Sequence, residues 1–300
     1  MHRSIMKLAT AATAAVLPLT LVSSAPAGAA NKSATWGKIV KQTAIANKLP
    51  AAVKNSGILR VASDASYAPM EYLAGDNTTV IGMDADLIKA IGQVLGLQVQ
   101  ITNEGFDSII PKLQSNTYDV GASSFTDTKA REKVVNFVDY FMAGESFYTK
   151  KGHKAMTGSG LTQMCGLKVA VQSGTTEEAD ATAAKAACTQ AHKATVTVLA
   201  FGDQTAANLA VSSGNADVGF LDQPIASYVV STSNGVFVNT GKPFAAAPYG
   251  FAVGKTYSGL DKAILAAAQY IYANGQYKAI LKFWGQSGGA KAITLNKAQF

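Results

Sequence analysis

The run Ile58-Leu59-Arg60-Val61-Ala62 sets the reading of the fold. It is short, mostly apolar and reads as a strand. Residues 84–95 carry apolar side chains at helical spacing, and residues 97–102 alternate apolar with polar as a second strand. Strand, helix and strand in that order form the unit of a parallel sheet covered by helices. The alternation continues with a helix over 106–114, a short strand over 120–123 and a helix over 128–133 opened by a polar cap.

After Phe147 the same grammar starts again. Strands are expected over 168–171, 195–201 and 218–221, with helices over 175–191, 204–213 and 224–230. The halves share a local spelling. Leu113-Gln114-Ser115-Asn116-Thr117-Tyr118 runs into Asp119-Val120-Gly121, and Val211-Ser212-Ser213-Gly214-Asn215-Ala216 runs into Asp217-Val218-Gly219. Together with the repeated element order, this echo favours two similar lobes. Tyr249-Gly250-Phe251-Ala252-Val253 is a further strand, and helices over 260–273 and 277–283 present apolar faces that need a sheet to pack on. If they return to the first lobe, the chain crosses between lobes near 140–146 and near 240–248, and two crossings make a hinge.

Composition narrows the classes. A chain of 300 residues with 48% hydrophobic and 15% charged residues has enough apolar material for one large domain or two ordinary ones, and too much for a disordered protein. The net charge of +7 is mild and spread along the chain, so no basic stripe points to a nucleic acid. His2, Arg3 and Lys7 precede an Ala-rich apolar run over 8–22 broken by Pro18, and Ala27-Gly28-Ala29 offers the small-x-small pattern of a cleavage site. Residues 1–29 therefore read as a secretory signal. The apolar run is shorter than the roughly 20 residues a membrane span needs, and no cysteine stands at the cleavage site to carry a lipid. Cys165 and Cys188, alone in an exported chain, are expected to form one disulfide worth about 3 kcal/mol. Residues 30–56 are polar and rich in Ala and Lys, with a helical stretch around 39–45 and a break at Pro50, and read as a leader packed on the surface.

Enzyme signatures are sparse. Gly250 to Thr256 falls one residue short of a phosphate-binding loop, and His and Cys are too few for a metal cage. No catalytic residue, metal or cofactor is assigned. The informative clusters lie at the carboxyl ends of expected strands, where open α/β sheets place ligands. They are Asp64-Ala65-Ser66-Tyr67-Ala68-Pro69-Met70-Glu71-Tyr72, then Ser123-Ser124-Phe125-Thr126-Asp127-Thr128 with Arg131 one turn on, then Gln172-Ser173-Gly174-Thr175-Thr176-Glu177, and Leu221-Asp222-Gln223-Pro224. A small zwitterion finds its complements here: Arg131 can clamp a carboxylate bidentately, the helix start at Thr175 and Thr176 offers free N–H groups, and Asp222 can take an ammonium. The bland alternatives are that Thr126 and Thr175 only cap helices, Tyr67 and Phe106 only fill the core, and Arg131 is a solvated helix residue.

From about Gly57 to Gly285 the chain resembles the amino-acid-binding proteins of ABC importers, the extracellular solute-binding proteins of family 3. The resemblance is carried by Asp64 to Pro69, Gly82-Met83-Asp84-Ala85-Asp86-Leu87, Phe106-Asp107-Ser108-Ile109-Ile110-Pro111, and Asp119 through Ser123-Ser124-Phe125-Thr126 to Arg131 and Glu132. In the second half it is carried by Val169 to Thr176, Asp217 to Asp222 and Pro248 to Val253. It implies the α/β fold of a type II periplasmic binding protein: two Rossmann-like lobes joined by a two-strand hinge, with lobe 1 over 57–145 and 245–300 and lobe 2 over 146–244. It also implies that Arg131 binds an α-carboxylate, helped by Thr126 and the N–H of Thr176, and that Asp222 holds the α-amine. The side chain would lie between Tyr67 and Phe106, with Asp64, Glu71 and Gln172 reading its polar end, and Ser123, Ser124 and Thr175 completing the site. Asp127 departs from the apolar residue usual after Thr126. Two acids near the side-chain pocket suggest a cationic or amide side chain.

The expectation is thus a monomeric exported protein, periplasmic or extracellular, that captures a polar or cationic L-amino acid and delivers it to the permease and ATPase of an ABC importer. The alternatives are a periplasmic dehydratase-like enzyme on the same fold, with Glu71 or Asp222 as general acid, and a ligand-sensing module.

Overall fold

The computed structural model describes residues 37, 39–154 and 156–300; the expected signal segment over 1–29 lies outside the described residues. A sheet runs through the molecule in the order Gln98–Asn103, Ile58–Ser63, Val120–Thr126, Phe237–Gly254, Val135–Lys150, Val218–Asp222, Lys168–Gln172, Thr197–Phe201. The first three strands are parallel to one another, as are the last three. Between these groups run the two longest strands, Val135–Lys150 and Phe237–Gly254, of 16 and 18 residues, paired antiparallel along their length. One end of this pair joins Val120–Thr126 and the other joins Val218–Asp222, so two strands connect two lobes. Their register shifts repeatedly between Thr240 and Ala247, where the chain passes from one lobe to the other.

Several helices fall where the periodicity places them, including Phe106–Gln114, Gln204–Ser213 and Leu260–Ala273. Polar caps set other starts: Thr128 Oγ1 accepts from Arg131 N, and Thr175 Oγ1 accepts from Glu178 N. Three features differ from expectation. The connecting strands extend far beyond the expected 249–253, because each continues its pairing through the crossing. Pro50 opens a helix, Ala51–Ser56, instead of only breaking one, since proline's fixed φ suits a helix start. A C-terminal strand, Ala290–Leu295, pairs with Val135–Lys150 and was not foreseen.

The leader docks through buried Ile39, Ala46, Leu49 and Val53. Lobe 1 is packed around Met83–Leu95 and Leu260–Ala273, with Ile88, Ile91, Val94, Ile264 and Ala267 in one core. The smaller core of lobe 2 centres on Phe147, Val169, Val171 and Phe220, with Phe147 and Phe220 stacked at 4.6 Å. Its helix Thr176–Gln190 buries Ala181, Ala184 and Cys188, and Cys188 is bridged to Cys165.

Candidate functional site

The strand ends of the two lobes face each other across a narrow cleft. All twelve sequence-selected residues line it: Asp64, Tyr67, Glu71, Phe106, Ser123, Ser124, Thr126 and Arg131 from lobe 1, and Gln172, Thr175, Thr176 and Asp222 from lobe 2. A thirteenth lining residue, Glu177, was quoted with its cluster but not selected.

Arg131 sits in the short helix Lys129–Glu132, half-buried and turned to the cleft. Its Nη1 donates to the Thr126 carbonyl at 2.8 Å, and its Nη2 crosses to the Gly174 carbonyl at 2.9 Å. The guanidinium carbon lies 5.7 Å from the Phe106 ring centre and 5.5 Å from that of Phe125, two rings that stack on each other at 4.4 Å. Desolvation lowers its pKa to about 10, against the opposing pull of Glu177 and Asp222. A guanidinium still charged at neutral pH and anchored by only some of its donors is equipped to take a carboxylate.

Asp64 caps the end of strand Ile58–Ser63. Its Oδ1 accepts from the Ser66 N–H and hydroxyl, and its Oδ2 from Phe106 N at 2.9 Å and Gln172 Nε2 at 2.8 Å. Burial raises its pKa, while these donors oppose the rise. Glu71 is fully buried and accepts only hydroxyls, Ser123 Oγ at 3.3 Å and Ser124 Oγ at 3.2 Å. Tyr67 is more than a wall: its hydroxyl donates to Asp222 Oδ2 at 3.0 Å and accepts from Asp222 N at 3.1 Å. Thr126 and Thr176 hydroxyls meet at 3.4 Å, and Ser66 Oγ accepts from Gln204 N at 3.0 Å, so the lobes touch along the whole cleft.

The lobe 2 wall is acidic. Asp222 ends strand Val218–Asp222, where its register partner is Glu145 of the connecting strand. Burial raises Asp222 to about 6, and Glu145, buried beside Glu177, Asp180 and Asp222, to about 10. Glu177 is 2% exposed, and burial followed by the charge of Asp222 holds it well above the usual carboxylate range. Oε1 of Glu177, Oε2 of Glu145 and the Tyr249 hydroxyl are buried without a hydrogen-bond partner. Position signals Glu177 in the sequence, since it directly follows Thr175-Thr176 at the helix start. Glu145 has no local signal, because only strand pairing brings it here. Arg131 is the one basic side chain among the lining residues.

Asp127 is buried facing away from the cleft. Its Oδ2 and that of Asp139 both accept from Lys297 N, at 2.9 and 3.2 Å. The unusual residue after Thr126 therefore belongs to the anchorage of the C-terminal segment. Among the described residues no His, Cys, Asp and Glu group could hold a metal ion, and no helix is long and apolar enough to cross a membrane.

Comparison with known proteins places this arrangement. The family described as bacterial extracellular solute-binding proteins, family 3, matches residues 59–287. The arginine-binding protein ArgT of Corynebacterium glutamicum is 31% identical over 257 residues, 85% of this chain and 83% of that protein. The ABC transporter glutamine-binding protein GlnH of Bacillus subtilis is 33% identical over 207 residues, 68% of this chain and 72% of its own length. Among solved structures, an ancestral arginine-binding protein bound to arginine superposes with a TM-score of 0.68 at 34% identity, covering 76% of this chain and 98% of that one. The family match spans most of the chain and both lobes, and this chain belongs to the bacterial extracellular solute-binding proteins of family 3.

Proposed function

We propose that the chain is an extracytoplasmic receptor that captures an L-amino acid with a cationic side chain, L-arginine foremost, and hands it to the permease of an ABC importer. The observation that carries this reading is the make-up of the cleft, a single guanidinium at Arg131 among the carboxyl groups of Asp64, Glu71, Glu177 and Asp222. The α-carboxylate pairs with Arg131 and the N–H of Thr176, the α-ammonium with Asp222, and the distal cation extends between Tyr67 and Phe106 towards Asp64 and Glu71. A second positive charge on the ligand is what an acid-rich, water-poor cleft favours. The arginine-binding relative supports the cationic class, and the glutamine-binding relative supports the wider class of L-amino acids.

On this reading residues 57–145 and 245–300 act as one lobe and residues 146–244 as the other, closing around the ligand. The protein works as a monomer without turnover and is exported by the signal in residues 1–29. A thermal-shift screen of the purified protein against the twenty L-amino acids tests it. A ligand at 100 times its Kd stabilises the folded form by about 2.7 kcal/mol, and L-arginine is expected to give the largest shift. No shift with any L-amino acid would overturn the reading, and conversion of a prephenate-like or arogenate-like acid would favour the dehydratase alternative.

A further inference from the structure

Two acids at the side-chain end of the cleft are provided for very differently. Each oxygen of Asp64 already has two donors. Glu71 instead lies against Asp84, the second residue of helix Met83–Leu95, and both are 0% exposed. The two carboxyl groups compete for one hydroxyl: Ser124 Oγ is 3.2 Å from Glu71 Oε2 and 3.4 Å from Asp84 Oδ2, and it has one hydrogen to give. Asp84 Oδ2 also accepts from Ser124 N at 2.8 Å and Tyr140 Oη at 2.5 Å, while its Oδ1 is buried without a partner. Glu71 has only Ser123 Oγ besides the shared hydroxyl. Ser124 holds a left-handed φ of 47° while its amide and hydroxyl serve the pair, a conformation that costs a non-glycine residue.

The other groups facing Glu71 are acids or hydroxyls. Asp64 comes from the end of the neighbouring strand, Ser123 and Ser124 from Val120–Thr126, Tyr140 from the connecting strand, and Tyr67 stands opposite in register with its hydroxyl bound to Asp222. Two unneutralised carboxylates sharing this few donors in a buried place hold a proton between them. The helix N-terminus and the short Tyr140 bond favour Asp84 as the ionised member, which leaves the proton on Glu71, the member that lines the cleft. Burial, then Asp84 and Asp64, hold Glu71 well above the usual carboxylate range, with Asp84 at about 6.

We propose that Glu71 is a proton-exchanging selectivity residue: a ligand with a cationic side chain displaces its proton to solvent and pairs with the carboxylate, whereas a neutral amide or ureido side chain is held by the protonated acid. The inference rests on the amino-acid reading above and deepens it. Charge balances at the site, because the arriving guanidinium replaces one proton that leaves to buffer. Selectivity between arginine and an uncharged analogue of its shape then depends on pH.

Calorimetric titration of the intact protein with L-arginine and with L-citrulline, each near neutral pH in two buffers of different ionisation enthalpy, counts the protons. Arginine is expected to release about one proton more than citrulline. Because both ligands carry the same α-groups, proton exchange at Asp222 and Glu177 cancels in that difference. The ratio of arginine to citrulline affinity should rise with pH, by up to about tenfold per unit while Glu71 is protonated in the free protein. Glu71→Gln should remove the extra proton and lower arginine affinity by about tenfold or more, leaving citrulline within about threefold. Equal proton counts and a flat affinity ratio in the unsubstituted protein would overturn the proposal, with arginine binding itself intact. Failure of both ligands to bind would overturn the assignment of L-arginine instead, with the wider amino-acid reading judged by the screen of all twenty.

Discussion

Arg131 and Asp64, on the lobe 1 wall, take most of their hydrogen bonds from their own lobe: the Thr126 carbonyl holds Arg131, and Ser66 and Phe106 N hold Asp64. On the lobe 2 wall, Asp222 receives the Tyr67 hydroxyl, Gln172 donates to Asp64 and the Gly174 carbonyl receives Arg131, all across the cleft. Buried oxygens with no partner remain on both sides, Glu177 Oε1 in lobe 2 and Asp84 Oδ1 in lobe 1 among them. Asp64 is thus held mainly from within lobe 1, whereas the side chains of Asp222 and Gln172 are held from across the cleft. Such a division makes lobe 1 the seat that orients a ligand and lobe 2 the lid whose burial cost is offset only when the lobes meet.

The strongest way to break this comparison is to remove the seat. Arg131→Ala should weaken L-arginine binding by about 2 to 5 kcal/mol, since it strands a desolvated carboxylate. Calorimetry should therefore read a loss of roughly thirtyfold to several thousandfold. Arg131→Lys should not recover it, because a point charge lacks the planar fork. A loss below tenfold with native circular dichroism would mean that the seat lies elsewhere.

Next in size is the covalent support of the lid. Lobe 2 divides its buried side chains between the cluster around Phe147 and Phe220 and the large core, which takes Ala207, Val211, Leu221 and Ile225. Its helix Thr176–Gln190 buries only alanines and Cys188 alongside Glu177, so the Cys165–Cys188 bridge carries weight there that packing carries elsewhere. Closing a loop with a sequence separation of 23 is worth about 3 kcal/mol. The double serine variant should lose about that much in urea unfolding, with hydrogen exchange rising in 161–201 well before it rises in lobe 1 strands. Uniform loosening of both lobes would contradict the asymmetry.

Behind the seat, Asp127 and Asp139 share Lys297 N, and burial together with Asp139 pushes Asp127 up to about 8. The unfolded chain loses that proton near pH 4, so between about pH 4 and 8 the folded state binds more protons. The stability contributed by Asp127 should fall as pH rises through that window and level off above it. Between about pH 6.5 and 8 the expected fall is about 1 to 2 kcal/mol. Urea midpoints for Asp127→Asn should show a flatter profile over the same range; a profile parallel to the unsubstituted protein would remove Asp127 as its source.

Much of this was legible in the sequence where local pattern and final environment coincide. Phe106–Gln114 and Gln204–Ser213 keep one apolar stripe and meet one core, so periodicity places them. The connecting strands were not legible at full length, because their two ends face different cores and their register shifts at the crossing. All twelve selected residues line the cleft because strand ends and helix caps are local signals and the family resemblance picked out single positions such as Phe106. Glu177, Asp84 and Glu145 were missed because a buried acid looks like a solvated one until pairing is known. Asp84 stood inside a quoted motif, and only the approach of Ser124 and Tyr140 from distant strands shows its role.

The smallest effect tests the contact between seat and lid most directly. Gly174 precedes the lobe 2 helix with φ +80°, and a Cβ added there would stand 2.9 Å from Asp107 Cβ in the lobe 1 helix Phe106–Gln114. The left-handed φ strains Gly174→Ala by about 1 kcal/mol whether or not the lobes touch. The crowding against Asp107 arises only where they do. Affinity for L-arginine should therefore fall by about 1 kcal/mol, roughly fivefold, chiefly through faster dissociation. Asp107→Gly in the same background deletes the opposing Cβ but leaves the Asp107 Cα 3.0 Å away, so a double-mutant cycle should show partial recovery of affinity without recovery of folding stability. If none of the loss is recovered in the double variant, the Asp107 side chain is not what opposes close approach of the lid at this point.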